Sequence, residues 1–254
     1  MNDINIIELN SENLSRYGCF CLKSKPGSEG YRNKNIWMKE RLAEGLKYLI
    51  LSKDNETSCG FIEYIPSEYA WRGIQAENYL VIHCLWTTAS GQGYGSRLIQ
   101  KSIEDAKAQN KYGVAVVTNS KDTWIANKDI FIKNGFKLVS ETLGSFELLV
   151  YKFGEYLDPY FPDDWEARAR RLGEGLTILR SYQCPYVEVA TNNILEGAEG
   201  AGIKPVIIDL KDRNEMINLA PSPYGVFNVV YKGKLVAFHR ITVRAAKKLF
   251  QDQC

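Results

Sequence analysis

Between Tyr79 and Asn119 the pattern of apolar and polar positions changes period twice. Tyr79 to Trp86 is apolar on both faces, as expected of a strand in the centre of a sheet. Ser96 to Gln109 repeats apolar residues at helical spacing, with Leu98, Ile99, Ile103 and Ala106 on one face. Gly113 to Thr118 is a second buried strand. Joining the first strand to the helix is a glycine-rich turn, Gly91-Gln92-Gly93-Tyr94-Gly95-Ser96. Glycines remove side chains that would block close approach, and the amides of a first helical turn point outward at an anion. The turn therefore predicts a phosphate-bearing cofactor across the end of the strand; the other reading is an ordinary tight strand–helix connection.

Similar patterning organises the flanking chain. Ile4 to Leu9 reads as a first strand and Ser11 as a cap. Ile36 to Leu46 places Ile36, Trp37, Leu42 and Leu46 mostly on one helical face. Lys47 to Leu51 and Ser58 to Ile65 predict a hairpin turned at Asp54-Asn55. Thr123 to Asn134 predicts a helix stopped by Gly135, and Phe146 to Phe153 a strand. Composition then shifts. Gly154 to Gly173 holds two prolines, four aromatics and the charged run Glu166 to Arg171, a solvated helix face in a linker. A second alternation follows: strand Leu176 to Arg180, helix Val187 to Ala201, strand Val206 to Leu210, hairpin Val226 to Tyr231 with Leu235 to His239, and helix Val243 to Phe250. The expected organisation is a domain over 1–153, a linker over 154–174 and a domain over 175–254.

Composition narrows the function classes. With 254 residues, 45% hydrophobic and 24% charged, the chain has the composition of a globular protein with a sizeable core. A formal net charge of +2 carries no signal for nucleic-acid binding. No apolar run reaches the ~18–20 residues that span a bilayer, and the first ten residues lack a basic segment before an apolar stretch. A cytoplasmic location is expected, with no membrane partner. The six cysteines, Cys19, Cys21, Cys59, Cys84, Cys184 and Cys254, include no CxxC pair, and only two histidines are present. No metal site is expected, and most of these thiols should pack as small core residues.

The element order, the turn and Ile130-Phe131-Ile132-Lys133-Asn134-Gly135-Phe136 resemble the GNAT superfamily of N-acetyltransferases. There a Gln/Arg-x-x-Gly-x-Gly/Ala turn holds the coenzyme A diphosphate. Gly93 and Gly95 take its glycine places, and Ser90 stands at the Gln/Arg place. The second segment resembles Leu-Tyr-x-Lys-x-Gly-Phe, whose tyrosine commonly protonates the leaving thiolate; this chain has Phe131. A more specific likeness lies in Phe61-Ile62-Glu63-Tyr64-Ile65-Pro66, Glu68-Tyr69-Ala70-Trp71-Arg72 and Val81-Ile82-His83-Cys84-Leu85-Trp86. These resemble YoaP-like acetyltransferases over nearly the whole chain. Relative to those, the segment between Trp86 and Gly91 is shorter and lacks a basic residue. Gln183-Cys184-Pro185-Tyr186-Val187, after a strand and before a helix, resembles the redox-cysteine position of a thioredoxin or glutaredoxin fold. Val187 replaces the second cysteine, and Pro223 matches the cis-proline facing the thiol. A helix N-terminus should lower the thiol pKa of Cys184.

The resemblance implies an α/β (α+β) fold: a mixed GNAT sheet with flanking helices, then a smaller thioredoxin-like domain. It implies acetyl-CoA as cofactor and a small-molecule amine as acceptor, in a monomer or homodimer. The cofactor would lie on the backbone of Leu85, Trp86 and Thr87, on Gly91, Gln92, Gly93, Tyr94, Gly95 and Ser96, and beside Asn127 and Phe131. Glu63, Glu68 and His83 are candidate bases, with Cys184 a further reactive group. His83 reads equally as a core histidine bonded to backbone. Tyr64, Glu68, Tyr69, Trp71 and Arg72 read as pocket lining or as a packed cover over the sheet. Tyr94 is a replacement acid or a stacking residue. Cys184 is a glutathione-like thiol, a sensor or a structural remnant. The functions in competition are an acyl-CoA-dependent N-acyltransferase, a non-catalytic acyl-CoA-binding or thiol-responsive module, and a disulfide-handling enzyme, against which Val187 argues.

Overall fold

The computed structural model describes residues 4–53, 57–122 and 124–251. The turn expected at Asp54-Asn55, the Thr123 start of one expected helix, and Cys254 lie outside the described residues. The chain divides into two compact units. One runs through Phe20, resumes over Met38–Ala70 and again over Ile74–Phe161. The other gathers Cys21–Trp37, Trp71–Gly73 and the chain from Pro162 onward.

In chain order, the elements up to the end of the first unit are β1 (Ile4–Glu8), α1 (Leu14–Tyr17), α2 (Glu29–Leu42), β2 (Lys47–Lys53), β3 (Thr57–Pro66), a 3₁₀ turn (Ser67–Tyr69), β4 (Tyr79–Thr87), α3 (Tyr94–Ala108), β5 (Gly113–Asn119), α4 (Lys128–Lys133), β6 (Lys137–Thr142) and β7 (Phe146–Lys152). The seven strands of the first unit form one mixed sheet in the order β1-β2-β3-β4-β5-β7-β6, with flanking helices, as the GNAT resemblance implies. Only β4 and β5 pair in parallel, because α3 carries the chain across one face between them. The helix buries Leu98, Ile99, Ile103 and Ala106 against Leu49, Ile62, Tyr64, Leu80 and Ile82. Burying each of the three larger aliphatic side chains contributes about 1.5–3 kcal/mol.

The second unit contains α5 (Trp165–Arg171), β8 (Thr177–Arg180), α6 (Val187–Glu199), β9 (Val206–Asp209), α7 (Arg213–Leu219), β10 (Phe227–Tyr231), β11 (Lys234–Ala237) and α8 (Val243–Gln251). Its sheet order is β11-β10-β8-β9, with β8 and β9 parallel and the other pairs antiparallel. Arg168 on α5 donates to the carbonyls of Ile217 and Ala220, tying α5 to the end of α7.

Several boundaries differ from the sequence reading. The helix expected over Ile36 to Leu46 is α2, which starts at Glu29 and ends at Leu42; Ile36 is 60% exposed. Gly45 then turns the chain with φ +88°, and Leu46 leads into β2. The helix expected from Thr123 begins at Lys128. β6 was not anticipated, since as an edge strand with Leu138 exposed it lacks a buried apolar face. Nor was α7, although Asp212 and Glu215 spell a capping box: Asp212 Oδ1 accepts from Glu215 N at 2.8 Å. Among the described residues no peptide bond is cis, so the expectation of a cis Pro223 is corrected: it follows Ser222 through a trans bond.

Candidate functional site

β4 stays paired to β3 from Pro66↔Leu80 down to Gly60↔Thr87, but to β5 only from Tyr79↔Gly113 to Ile82↔Val116. β5 continues beside β7 as far as Asn119. The ladder between β4 and β5 thus stops at Ile82, and β4 runs on to Thr87 beyond it. A bulge sets the parting point. Tyr64 pairs with Ile82 and Glu63 with Cys84, leaving His83 as the extra residue. A bulge of this kind bends its strand and increases its twist, which turns the end of β4 away from β5.

The end of β4 leads directly to the glycine turn. Gly91 and Gly93 have φ +76° and +74°, a region that side chains with a Cβ disfavour, and nothing lies within 4 Å of where that Cβ would be. Ser90, Gly91, Gln92 and Gly93 are exposed. Gly93 is the N-cap of α3 and supplies no capping side chain. The first intrahelical bond is Arg97 N to Gly93 O at 3.0 Å, so the Tyr94, Gly95 and Ser96 amides precede any intrahelical acceptor. Together with the helix dipole they favour an anion. Ser96 Oγ accepts from Asn134 Nδ2 at 3.0 Å, and Gly95 is buried against Ile130 of α4.

Nearby, Asn127 caps α4, its Oδ1 accepting from Asp129 N at 2.8 Å. Phe131 is fully buried and meets Phe136 edge-to-face at 5.5 Å, inside the core under α3. Tyr94 is half-buried. Burial raises its pKa, helped by the neighbouring Cys59 thiol, so the phenol holds its proton more firmly than usual.

On the opposite face of the sheet, His83 Nδ1 lies 3.1 Å from Glu63 Oε1, with both side chains shielded from water. Across the strand pair, Cys84 opposes Glu63 and Trp86 opposes Phe61. Both Cys84 and Trp86 are exposed, Trp86 by 49%. Phe20 packs on Phe61 at 5.3 Å and on Trp86 at 5.2 Å, and Tyr48 stacks under Phe61 at 5.0 Å. Sequence reasoning missed this aromatic row and the exposure of Cys84. The same-face spacing of Phe61 with Glu63, and of Cys84 with Trp86, was the available signal.

The five residues expected to line a pocket are divided between the two units, Tyr64, Glu68 and Tyr69 in the first and Trp71 and Arg72 in the second. Tyr64 points into the core beneath α3, its hydroxyl donating to Asp105; burial, then that bond, pushes its pKa up. Glu68 pairs with Lys111 Nζ at 3.4 Å on the surface, and Tyr69 is 42% exposed. Trp71 and Arg72 belong to the second unit and are buried there. Arg72 Nη1 donates to Gln183 Oε1 at 2.8 Å, and its guanidinium lies 4.7 Å from the Tyr224 ring centre. Cys184 is half-buried just ahead of α6, its carbonyl accepting from Val187 N at 3.1 Å. Among the described residues, no group of three or more His, Cys, Asp or Glu is placed to hold a metal ion, and no helix is long and apolar enough to cross a membrane.

No protein-family model matches the chain. Over 249 residues it is 29% identical to the uncharacterized N-acetyltransferase YoaP of Bacillus subtilis (strain 168), covering 96% of this chain and 97% of the relative. Among solved structures, yncA, a putative acetyltransferase from Salmonella typhimurium with acetyl-CoA, is 12% identical with a TM-score of 0.45, covering 62% of this chain and 98% of that one. The PaiA N-acetyltransferase of Thermoplasma acidophilum with coenzyme A is 19% identical with a TM-score of 0.42, covering 59% and 99%.

Proposed function

We propose that the chain is an acyl-CoA-dependent N-acyltransferase that moves an acyl group, acetyl in the simplest case, to a small-molecule amine. The observation that carries this reading is the continuity of two features: the parting of β4 from β5 beyond Ile82↔Val116, and the uncapped amides of Tyr94, Gly95 and Ser96 where that strand gives way to α3. An extended pantetheine arm is satisfied by a strand edge, as any added strand is. A diphosphate is satisfied by amides at a helix N-terminus. The full-length likeness to an N-acetyltransferase supports the same reading.

In direct transfer a neutral amine attacks the thioester carbonyl, the carbon–sulfur bond breaks, and the amine proton must leave. Backbone of Leu85, Trp86 and Thr87 orients the thioester. The Glu63–His83 pair, beside the Glu63↔Cys84 pair two residue pairs along β4 from Phe61↔Trp86, is the group we assign to receive the proton, the carboxylate steadying the imidazole once it is charged. Phe131 supplies no acid, and the thiolate, a good leaving group, departs without one. The acceptor stands on the Glu63 face, beside Trp86 and Cys84.

In this reading the acyltransferase domain is drawn from 1–153, within which Cys21–Trp37 and Trp71–Gly73 group with the second unit, followed by a linker over 154–174 and a thioredoxin-like domain over 175–254. The sheet order β11-β10-β8-β9 and a cysteine between β8 and α6 support the last assignment. With Val187 in place of a second thiol, that domain runs no disulfide cycle of its own. We place the protein in the cytoplasm.

The burial of Phe131 also favours a second reading, non-catalytic acyl-CoA binding. Two measurements separate them. Isothermal titration with acetyl-CoA tests the site itself, and absence of binding removes both readings. Thiol release across a panel of small amines tests turnover; binding without release leaves the second.

A further inference from the structure

Both ends of the segment that carries Gly91 and Gly93 are tied to one residue of β3. At its start, Thr88 N donates to Cys59 O at 2.9 Å and Thr88 Oγ1 donates to the same carbonyl at 3.1 Å. At its end, Tyr94 packs against the core cluster that contains Cys59, whose thiol helps raise the phenol's pKa. Cys59 holds this position because β3 is bulged there. Leu51 pairs with Gly60 and Ser52 with Ser58, which leaves Cys59 as the additional residue. The next residue, Gly60, sits opposite Thr87. A Cβ on Gly60 would stand 2.6 Å from the Trp86 carbonyl oxygen and 2.9 Å from Thr87 Cγ2. The end of β4 therefore rests directly on bare β3 backbone.

We propose that the Cys59–Gly60 corner of β3 is the positioning element of the cofactor site, Cys59 clasping the turn from Thr88 to Tyr94 and Gly60 seating Trp86 and Thr87. A glycine-rich turn is flexible by composition, and aiming its amides at an anion costs conformational entropy. Fixing both ends at one point removes most of that freedom before a ligand arrives, which is preorganisation. The two halves of the corner serve two parts of the ligand: the clasp the diphosphate, the glycine seat the arm. Neither Cys59 nor Gly60 touches the reacting atoms.

The inference rests on the acyl-CoA reading, and a pair of thioesters separates the two. Acetyl-CoA carries the diphosphate, and S-acetylpantetheine lacks it. Wild-type protein should prefer acetyl-CoA; absence of that preference overturns the diphosphate assignment and the clasp with it. Given the preference, Thr88→Val should raise KM for acetyl-CoA about three- to tenfold, with kcat unchanged, as expected for one lost hydrogen bond. It should leave S-acetylpantetheine kinetics as they were. Gly60→Ala should lower kcat with both thioesters, since it displaces β4 itself. Equal losses with both thioesters in Thr88→Val, or no loss with either, overturn the clasp. Thermal midpoints matching wild type exclude general unfolding, and Thr88→Val, nearly isosteric, keeps the test valid if Gly60→Ala does not fold.

Discussion

His83 Nδ1 stands 3.1 Å from Glu63 Oε1, and the contact exists because His83 is the bulged residue of β4, directly beside the strand pair Glu63↔Cys84. In an unbulged strand the alternation of side chains would set these two groups on different faces. The same irregularity that parts β4 from β5 therefore also brings the imidazole to the carboxylate. One backbone feature has two chemical effects.

Glu63→Gln keeps the shape of that contact and removes its charge. If the pair receives the amine proton, kcat should fall by roughly 10²-fold or more, with little change in KM for the thioester. The acidic limb of the kcat/KM profile should flatten as well. A steady-state pH series from 5.5 to 9 measures both; an unaltered profile would assign the pair a packing role.

Gly93→Ala forces a Cβ into φ +74°, at a cost of about 1–2 kcal/mol. No neighbouring atom is crowded, so the strain is relieved by moving the turn rather than by unfolding. Affinity for acetyl-CoA should drop by roughly tenfold, while the chemical denaturation midpoint shifts only slightly. Calorimetric titration alongside urea unfolding reads the two effects separately.

Alkaline stability should be set by buried phenols. Burial, then the charge of Asp158, pushes the Tyr79 pKa from 10.0 up to about 12, and its hydroxyl donates to Leu157 O at 3.0 Å. A phenol whose folded pKa lies above its unfolded one contributes fully below pH 10, and that contribution is lost as pH climbs towards 12. Tyr64, raised in the same direction, adds to the slope. Thermal midpoints should fall steeply above pH 10. Tyr79→Phe should cost about 1 kcal/mol at neutral pH and flatten the alkaline decline.

Thiol labelling should be selective. Cys84 is exposed, whereas Cys19 and Cys59 are 0% and 5% exposed. A maleimide should modify Cys84 well before either of those, and saturating acetyl-CoA should slow the reaction at Cys84. Peptide mapping by mass spectrometry after timed quenching gives the order; labelling at Cys84 unaffected by acetyl-CoA would move the thioester away from the end of β4.

What could be read from the sequence was what obeys a local period. The run Tyr79 to Trp86 and the spacing of Leu98, Ile99, Ile103 and Ala106 specify β4 and α3 because their burial follows directly from side-chain alternation. Residues whose surroundings depend on distant chain resisted. Tyr64 and Trp71 lie close together in sequence, yet Tyr64 belongs beneath α3 and Trp71 to the other unit, so no local pattern could sort them. Phe131 was legible as a departure from an expected tyrosine, but its complete burial depends on α3 and Phe136. The His83 bulge leaves no trace in composition, because any residue can occupy such a position. The capping box of α7 and the same-face spacing of Cys84 with Trp86 were locally visible and overlooked.

The order in which the chain visits its two units has a consequence for how the protein can be divided. Cys21–Trp37 and Trp71–Gly73 are translated early but belong with residues after Phe161; Gly73 N, for instance, donates to Pro223 O at 2.9 Å. A shortened chain ending at Phe161 would strand those two segments without the neighbours they require. On the ribosome they must wait for the C-terminal third to emerge. A single cut near residue 161 therefore does not separate the two units cleanly.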